Sequence, residues 1–235
     1  MCGIIGYTGS EDVKGVLLDA LELLEYRGYD SAGIALADTG LKQTKVYKCA
    51  GRVKDLRAIC ESEKLITECG IGHTRWAPHG GVNDTNAHTH QVGKVTLVHN
   101  GIIENYRELI ADYELESVLK SETDSEVVAA LLNKFYTGDP DEAIKKTVSK
   151  LKGTFALVIL FEDHQGEIYS VRNVSPIVAT LSREGAMLAS DLTALWRFTN
   201  SYFVVPEYHI LKLAKNAIVL KTFNGNQEEP DDIEV

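Results

Sequence analysis

Met1-Cys2 opens the chain, and removal of the methionine would leave one residue carrying both a thiol and a free α-amine. A thiol attacks as its thiolate, and an α-amine of pKa about 7.7 to 8.0 is poised to take the thiol proton near neutrality. Small second residues generally permit methionine removal, and Cys2 is small. Taken by itself, Cys2 is equally a buried cysteine at the start of a strand. Further along, Asn100-Gly101 closes the stretch KVTLVHNG (94–101), where an amide side chain and an unhindered backbone N–H can address one oxygen; an isolated Asn-Gly is also a common hairpin turn. Five of the seven histidines, His73, His79, His88, His90 and His99, fall within 27 residues. A metal site is one reading of them, with the imidazoles of His88 and His90 on one strand face. No H-E-x-x-H helix or partnered carboxylate pattern accompanies them, which favours ordinary hydrogen bonding and no metal.

These residues need elements to hold them. CGIIGYT (2–8) is an apolar run bounded by glycines and reads as a buried strand starting at Cys2. Ser10 follows as an expected helix cap, with Val13, Val16, Leu17, Ala20, Leu21 and Leu24 at helical spacing and Gly28 as the stop. SAGIALAD (31–38) and TKVYKCA (44–50) form a hairpin around Gly40, and 52–62 is a short helix. Residues 70–100, containing GHTRWAPHGGVNDTNAHTH, read as a long polar loop unsuited to a core, of the kind that carries function. Beyond it a strand runs over 94–101, a weaker helix over 104–113, and a Thr123/Glu126 capping box opens a helix. Asp139-Pro140 starts another helix that ends near Gly153. From Thr154 onward the strands FALVILF, EIYSV, PIVATL, AMLAS, YHILKL and AIVLK dominate. Strands at both ends with helices between them indicate α+β layers. The segment 224–235, with five acids in its last eight residues, reads as an acidic linker or tail after a 2–223 domain.

The chain has 235 residues, 44% hydrophobic and 25% charged, with a formal net charge of -10, which argues against nucleic-acid or anionic-membrane partners. No window approaches the roughly 18 apolar residues of a membrane span, and there is no basic-then-apolar leader. Four cysteines at irregular spacings without a C-x-x-C pair read as reduced thiols in the cytoplasm.

CGIIG, EYRGYDSAGIA (25–35), GHTRWAPHG (72–80), NAHTH (86–90), HNGIIENY (99–106), SETDSEVV (121–128) and LASD (188–191) occur in that order over nearly the whole chain. Together they resemble the glutaminase domain of the glutamine-dependent fructose-6-phosphate aminotransferase (glucosamine-6-phosphate synthase) family. These are class II glutamine amidotransferases with an N-terminal nucleophile hydrolase fold. The resemblance implies an α+β four-layer αββα sandwich and no cofactor. It implies hydrolysis of L-glutamine to glutamate and ammonia through a thioester on Cys2, with Asn100 and Gly101 as oxyanion donors. Arg75 would take the substrate carboxylate, with Trp76 and His79 lining the site, and Asp124 the substrate ammonium. Arg27 and Gly28 would support the nucleophile. A sugar-phosphate isomerase domain or subunit, absent from these residues, is the implied partner. Two positions depart from the family pattern. Pro78 replaces a threonine that can contact the substrate carboxylate, and Thr89 stands where NAHPH is usual. A related amidotransferase, or a non-catalytic glutamine-sensing module, is the alternative.

Overall fold

The computed structural model describes residues 2–76 and 81–234. Two antiparallel sheets lie face to face with helices on both outer faces. The eight-stranded sheet contains β1 (Gly3–Gly9), β2 (Ser31–Asp38), β3 (Gln43–Ala50), β4 (Thr67–Arg75), β9 (Val178–Leu181), β10 (Gly185–Ala189), β11 (Ser201–Val204) and β15 (Ile233–Glu234). Their spatial order is β15-β11-β9-β10-β1-β4-β2-β3. The seven-stranded sheet is built from β5 (His90–Val92), β6 (Val95–Ile103), β7 (Gly153–Phe161), β8 (Ile168–Asn173), β12 (His209–Ala214), β13 (Ala217–Thr222) and β14 (Gln227–Glu228), in the order β14-β13-β12-β8-β7-β6-β5.

The outer layers are α1 (Val13–Leu24) and α2 (Val53–Cys60) on the first sheet, and α3 (Tyr106–Tyr113), α4 (Asp124–Phe135) and α5 (Pro140–Val148) on the second. Three apolar clusters follow. One is shared by α1, α2 and the first sheet, one lies between the sheets, and one is shared by the second sheet and α3 to α5. The four-layer αββα arrangement expected above is the one observed.

Strand alternation explains how one short sequence feeds two cores. In β1, Ile4 points between the sheets while Ile5 and Tyr7 pack toward α1, so every residue of Gly3–Gly9 is buried. Leu17, Leu21 and Leu24 of α1 are wholly buried against that outer face, each contributing about 1.5 to 3 kcal/mol of transfer free energy. No helix among the described residues is long and apolar enough to cross a membrane.

Several sequence expectations change. Asp12, not Ser10, is the N-cap of α1, because the Ser10 hydroxyl donates to the Glu184 carbonyl at 3.2 Å and so belongs to the end of the β1–β10 pairing. The Thr123/Glu126 capping box is only half made. Thr123 Oγ1 accepts from the Glu126 N–H, but the Glu126 carboxylate accepts from the Lys120 and Ser121 N–H groups instead. The polar stretch 70–100 is not a surface loop throughout. Gly70–Arg75 completes β4 at the heart of its sheet, and Asn86, His88, Thr89 and His90 are buried. Hydrogen bonds to backbone and side chains offset the burial of Asn86, His88 and His90. Within the acidic segment 224–235, β14 pairs with β13 and β15 with β11.

Candidate active site

Cys2 precedes the central strand β1, whose neighbours are β4 and β10. Alternation then decides what meets it. Ile4, Ile71 and Val98 all face the space between the sheets, so Cys2, His73, Arg75 and Asn100 belong to that same interior face. Sγ of Cys2 accepts from the Trp76 N–H at 3.3 Å and lies 3.7 Å from the Trp76 carbonyl. Burial raises the thiol pKa, opposed by the Trp76 N–H and by the Arg75 charge. The Cys2 carbonyl is held by two donors, Asn100 Nδ2 at 3.0 Å and Arg27 Nε at 3.3 Å.

A cavity of about 240 Å³ opens beside this thiol, with Arg75, Trp76, Gly101, Ile103, Asp124 and Ser125 among its walls. Arg75 ends β4 and is only 5% exposed, which places a cation in a largely desolvated wall. Asp124 opens α4. One of its oxygens accepts from the Ile103 N–H at 2.8 Å, while the other is met by the Ser125 hydroxyl at 3.4 Å. A guanidinium and a carboxylate on one small cavity suit a zwitterion such as an amino acid.

Gly101 sits at φ +130°, a conformation reserved for glycine, and a Cβ there would lie 2.1 Å from the Thr154 carbonyl oxygen. Gly28 is needed for a different reason. Its backbone is extended, but an added Cβ would stand 2.7 Å from both Arg75 C and Trp76 N. The chain after α1 therefore presses directly on the segment that carries the cation and the thiol's N–H donor. Arg27 also pairs with Asp191 of LASD at 2.5 Å, and Tyr26 donates to the same oxygen at 2.8 Å.

Cys2, Arg75, Trp76, Gly101 and Asp124 thus share the cavity, with Asn100, Arg27 and Gly28 packed around the Cys2 backbone and its neighbours. His79 and Pro78 lie outside the described residues. The described histidines of the group make the ordinary hydrogen bonds expected of them, and their rings also meet one another. His73 and His88 stack at 4.1 Å and His90 meets His88 edge-on at 4.7 Å. Burial lowers the pKa of His73 to about 3 and those of His88 and His90 well below the usual value. Among the described residues no group of three His, Cys, Asp or Glu side chains is placed to hold a metal ion.

From sequence, His73 stands only within the histidine group and the GHTRWAPHG motif, and Asp191 only within the LASD motif, neither with a role beside Cys2. For His73 the signal was present in the alternation of β4 with Ile71 and Arg75, once residues 70–75 are read as strand.

Residues 74–197 match the protein family described as "Glutamine amidotransferase domain". The enzyme named glutamine–fructose-6-phosphate aminotransferase (isomerizing) from Bacillus subtilis is 41% identical over 230 residues, covering 96% of this chain and 38% of that protein. Its counterpart from Staphylococcus aureus is 41% identical over 235 residues, covering 98% and 39%. The chain therefore spans under two-fifths of the length of these relatives. Among solved structures, glutamine phosphoribosylpyrophosphate amidotransferase from B. subtilis superposes with a TM-score of 0.81 at 23% identity, over 96% of this chain and 50% of that one. A structure described as the allosteric regulatory enzyme of purine biosynthesis gives 0.82 at 24%, with the same coverage. These two likenesses speak for the fold, and the matched segment, more than half of the chain, speaks for the family. The chain belongs to the glutamine amidotransferase domain family.

Proposed function

We propose that this chain hydrolyses the side-chain amide of L-glutamine, with Cys2 as the nucleophile once Met1 has been removed. The observation that carries this reading is the placement of the Cys2 thiol on a cavity that also holds Arg75 and Asp124. Arg75 takes the substrate α-carboxylate and Asp124 the α-ammonium, which leaves the side-chain amide directed at Sγ.

Sγ bonds to the amide carbon as its proton passes to the Cys2 α-amine, and the carbonyl becomes an oxyanion. The second N–H of the Asn100 amide and the Gly101 N–H serve that oxyanion. Collapse breaks the carbon–nitrogen bond, the proton returns to the leaving nitrogen, and ammonia departs. Water then adds to the thioester, the carbon–sulfur bond breaks, and glutamate and the thiol are released. With Met1 attached, the Cys2 nitrogen is an amide without basicity, so trimming precedes activity.

The names of the similar enzymes support a destination for the ammonia. Residues 2–223 act as the glutaminase domain, and 224–235 lead toward a sugar-phosphate isomerase domain or subunit that aminates fructose 6-phosphate. Four free thiols fit a reducing, cytoplasmic setting.

The test is enzyme-coupled detection of ammonium from glutamine, using protein whose N-terminus is verified by mass. Release that vanishes in Cys2→Ala is the expected result. No release from the trimmed chain, alone or with a synthase half, would overturn the proposal.

A further inference from the structure

Asn100 can serve an oxyanion only if its amide is turned the right way, because oxygen and nitrogen occupy nearly equivalent positions and either can face the nucleophile. Its Nδ2 faces the Cys2 carbonyl at 3.0 Å, and its Oδ1 faces His73 Nε2 at 3.1 Å. The same His73 nitrogen stands 3.1 Å from the His99 carbonyl oxygen. Both neighbours of Nε2 are therefore acceptors, which requires the ring proton on Nε2.

The geometry points to His73 as a positioning residue that fixes the Asn100 amide, holding its Oδ1 away from the nucleophile and its N–H groups toward it. This inference rests on the glutaminase reading above.

The ring has little freedom to do anything else. His73 is 1% exposed in β4, and it stacks on His88 at 4.1 Å with 23° between the ring planes. His88 is itself tied to the same residue of β6, since its Nδ1 accepts from the His99 N–H at 3.4 Å. The two imidazoles thus grip the carbonyl and the N–H of the residue before Asn100, one from β4 and one from the segment before β5. They join the two sheets directly behind the thiol. Burial keeps His73 uncharged, so Nε2 is its one donor and Nδ1 carries a lone pair. A neutral donor suits the site, because a second cation there would carry a desolvation cost and the repulsion of the Arg75 charge.

Steady-state glutaminase kinetics of His73→Phe and His73→Gln, each also in an Asn100→Ala background, test the assignment. His73→Phe should lower kcat about 10- to 100-fold while KM for glutamine stays within about threefold, since the substrate's ends are held elsewhere. His73→Gln keeps an N–H donor and should recover part of the loss. In the Asn100→Ala background His73→Phe should cost less than about twofold further, as expected of a residue that acts through another. A kcat within about twofold of the parent, or an equal loss in both backgrounds, would overturn the inference. Imidazole nitrogen NMR on the unsubstituted chain is an independent arm for the case in which a variant fails to fold. A proton on Nε2 from about pH 5 to 8 supports the assignment, and one on Nδ1 overturns it. Absence of ammonia release by the unsubstituted chain would strike the glutaminase reading, whereas the tautomer measurement judges His73 separately.

Discussion

The side-chain amide of Asn100 donates to the backbone carbonyl of Cys2 across 3.0 Å, tying the strand that bears the proposed oxyanion donors to the residue that bears the thiol. The two belong to different sheets, β6 in the seven-stranded and β1 in the eight-stranded one. The proposed nucleophile and its proposed stabiliser are therefore registered through the packing of whole layers. Replacing Asn100 by Ala removes this tie together with one proposed oxyanion donor. The expected outcome is a fall in kcat of about 10² to 10³, or about 2.7 to 4 kcal/mol, with little change in KM, read from ammonium release at saturating glutamine.

Gly28→Ala should act on substrate binding. Its methyl would meet the Arg75–Trp76 backbone at 2.7 Å, pushing the guanidinium off its line to the cavity. KM for glutamine should rise by about tenfold or more while the thermal midpoint moves modestly, since misplacement by an ångström is costly to positioning. An unchanged KM would show that the backbone yields without moving Arg75.

Gly101→Ala meets both a forbidden φ and a 2.1 Å approach to the Thr154 oxygen, on a strand paired through its full length with β7. A loss of about 2 to 3 kcal/mol or more in denaturant unfolding is expected, alongside lost activity.

Buried histidines contribute to acid sensitivity from near neutrality downward, before carboxylates such as Asp191, held below their ordinary range, are protonated. His73, titrating near 3, and His88 and His90, well below their usual value, bind protons far more readily when unfolded. Their folded pKa values are depressed, so their contribution is complete above about pH 6.5 and declines as pH falls below it toward the folded values. Each adds a slope of about 1.4 kcal/mol per pH unit in that window. The guanidinium midpoint should therefore drop steeply between about pH 6.5 and 5, and His88→Asn should flatten the decline.

The Cys2 thiol moves the other way, its pKa raised by burial. Alkylation of the Met1-bearing chain by iodoacetamide should lag a free cysteine at neutral pH and climb past the ordinary thiol value of about 8.5. Arg75→Ala should push that climb further to alkaline pH, because the Arg75 charge favours the thiolate.

Much of the fold was legible because its strands are short apolar runs between glycines and its helices carry clean 3.6-residue spacing, as in Val13 to Leu24 and Asp139-Pro140 onward. The proposed nucleophile, Cys2, is singled out by its position in the chain. The segment 70–100 misled because many of its polar residues find hydrogen-bond partners in the interior, several of them beyond the segment itself. His73 answers to Asn100 and His99, His90 to Thr123, and Asn86 to Glu122, partners 26 to 36 positions away that no local pattern reveals. Ser10 and Glu126 failed as caps for a related reason, since distant or offset backbone groups claimed their oxygens.

Ile5 pairs with Gly72 on one side and with Ala189 on the other. On a translating ribosome, Ala189 emerges more than a hundred residues after Gly72, so the leading strand keeps one flank open until Ala189 is free to pair with it.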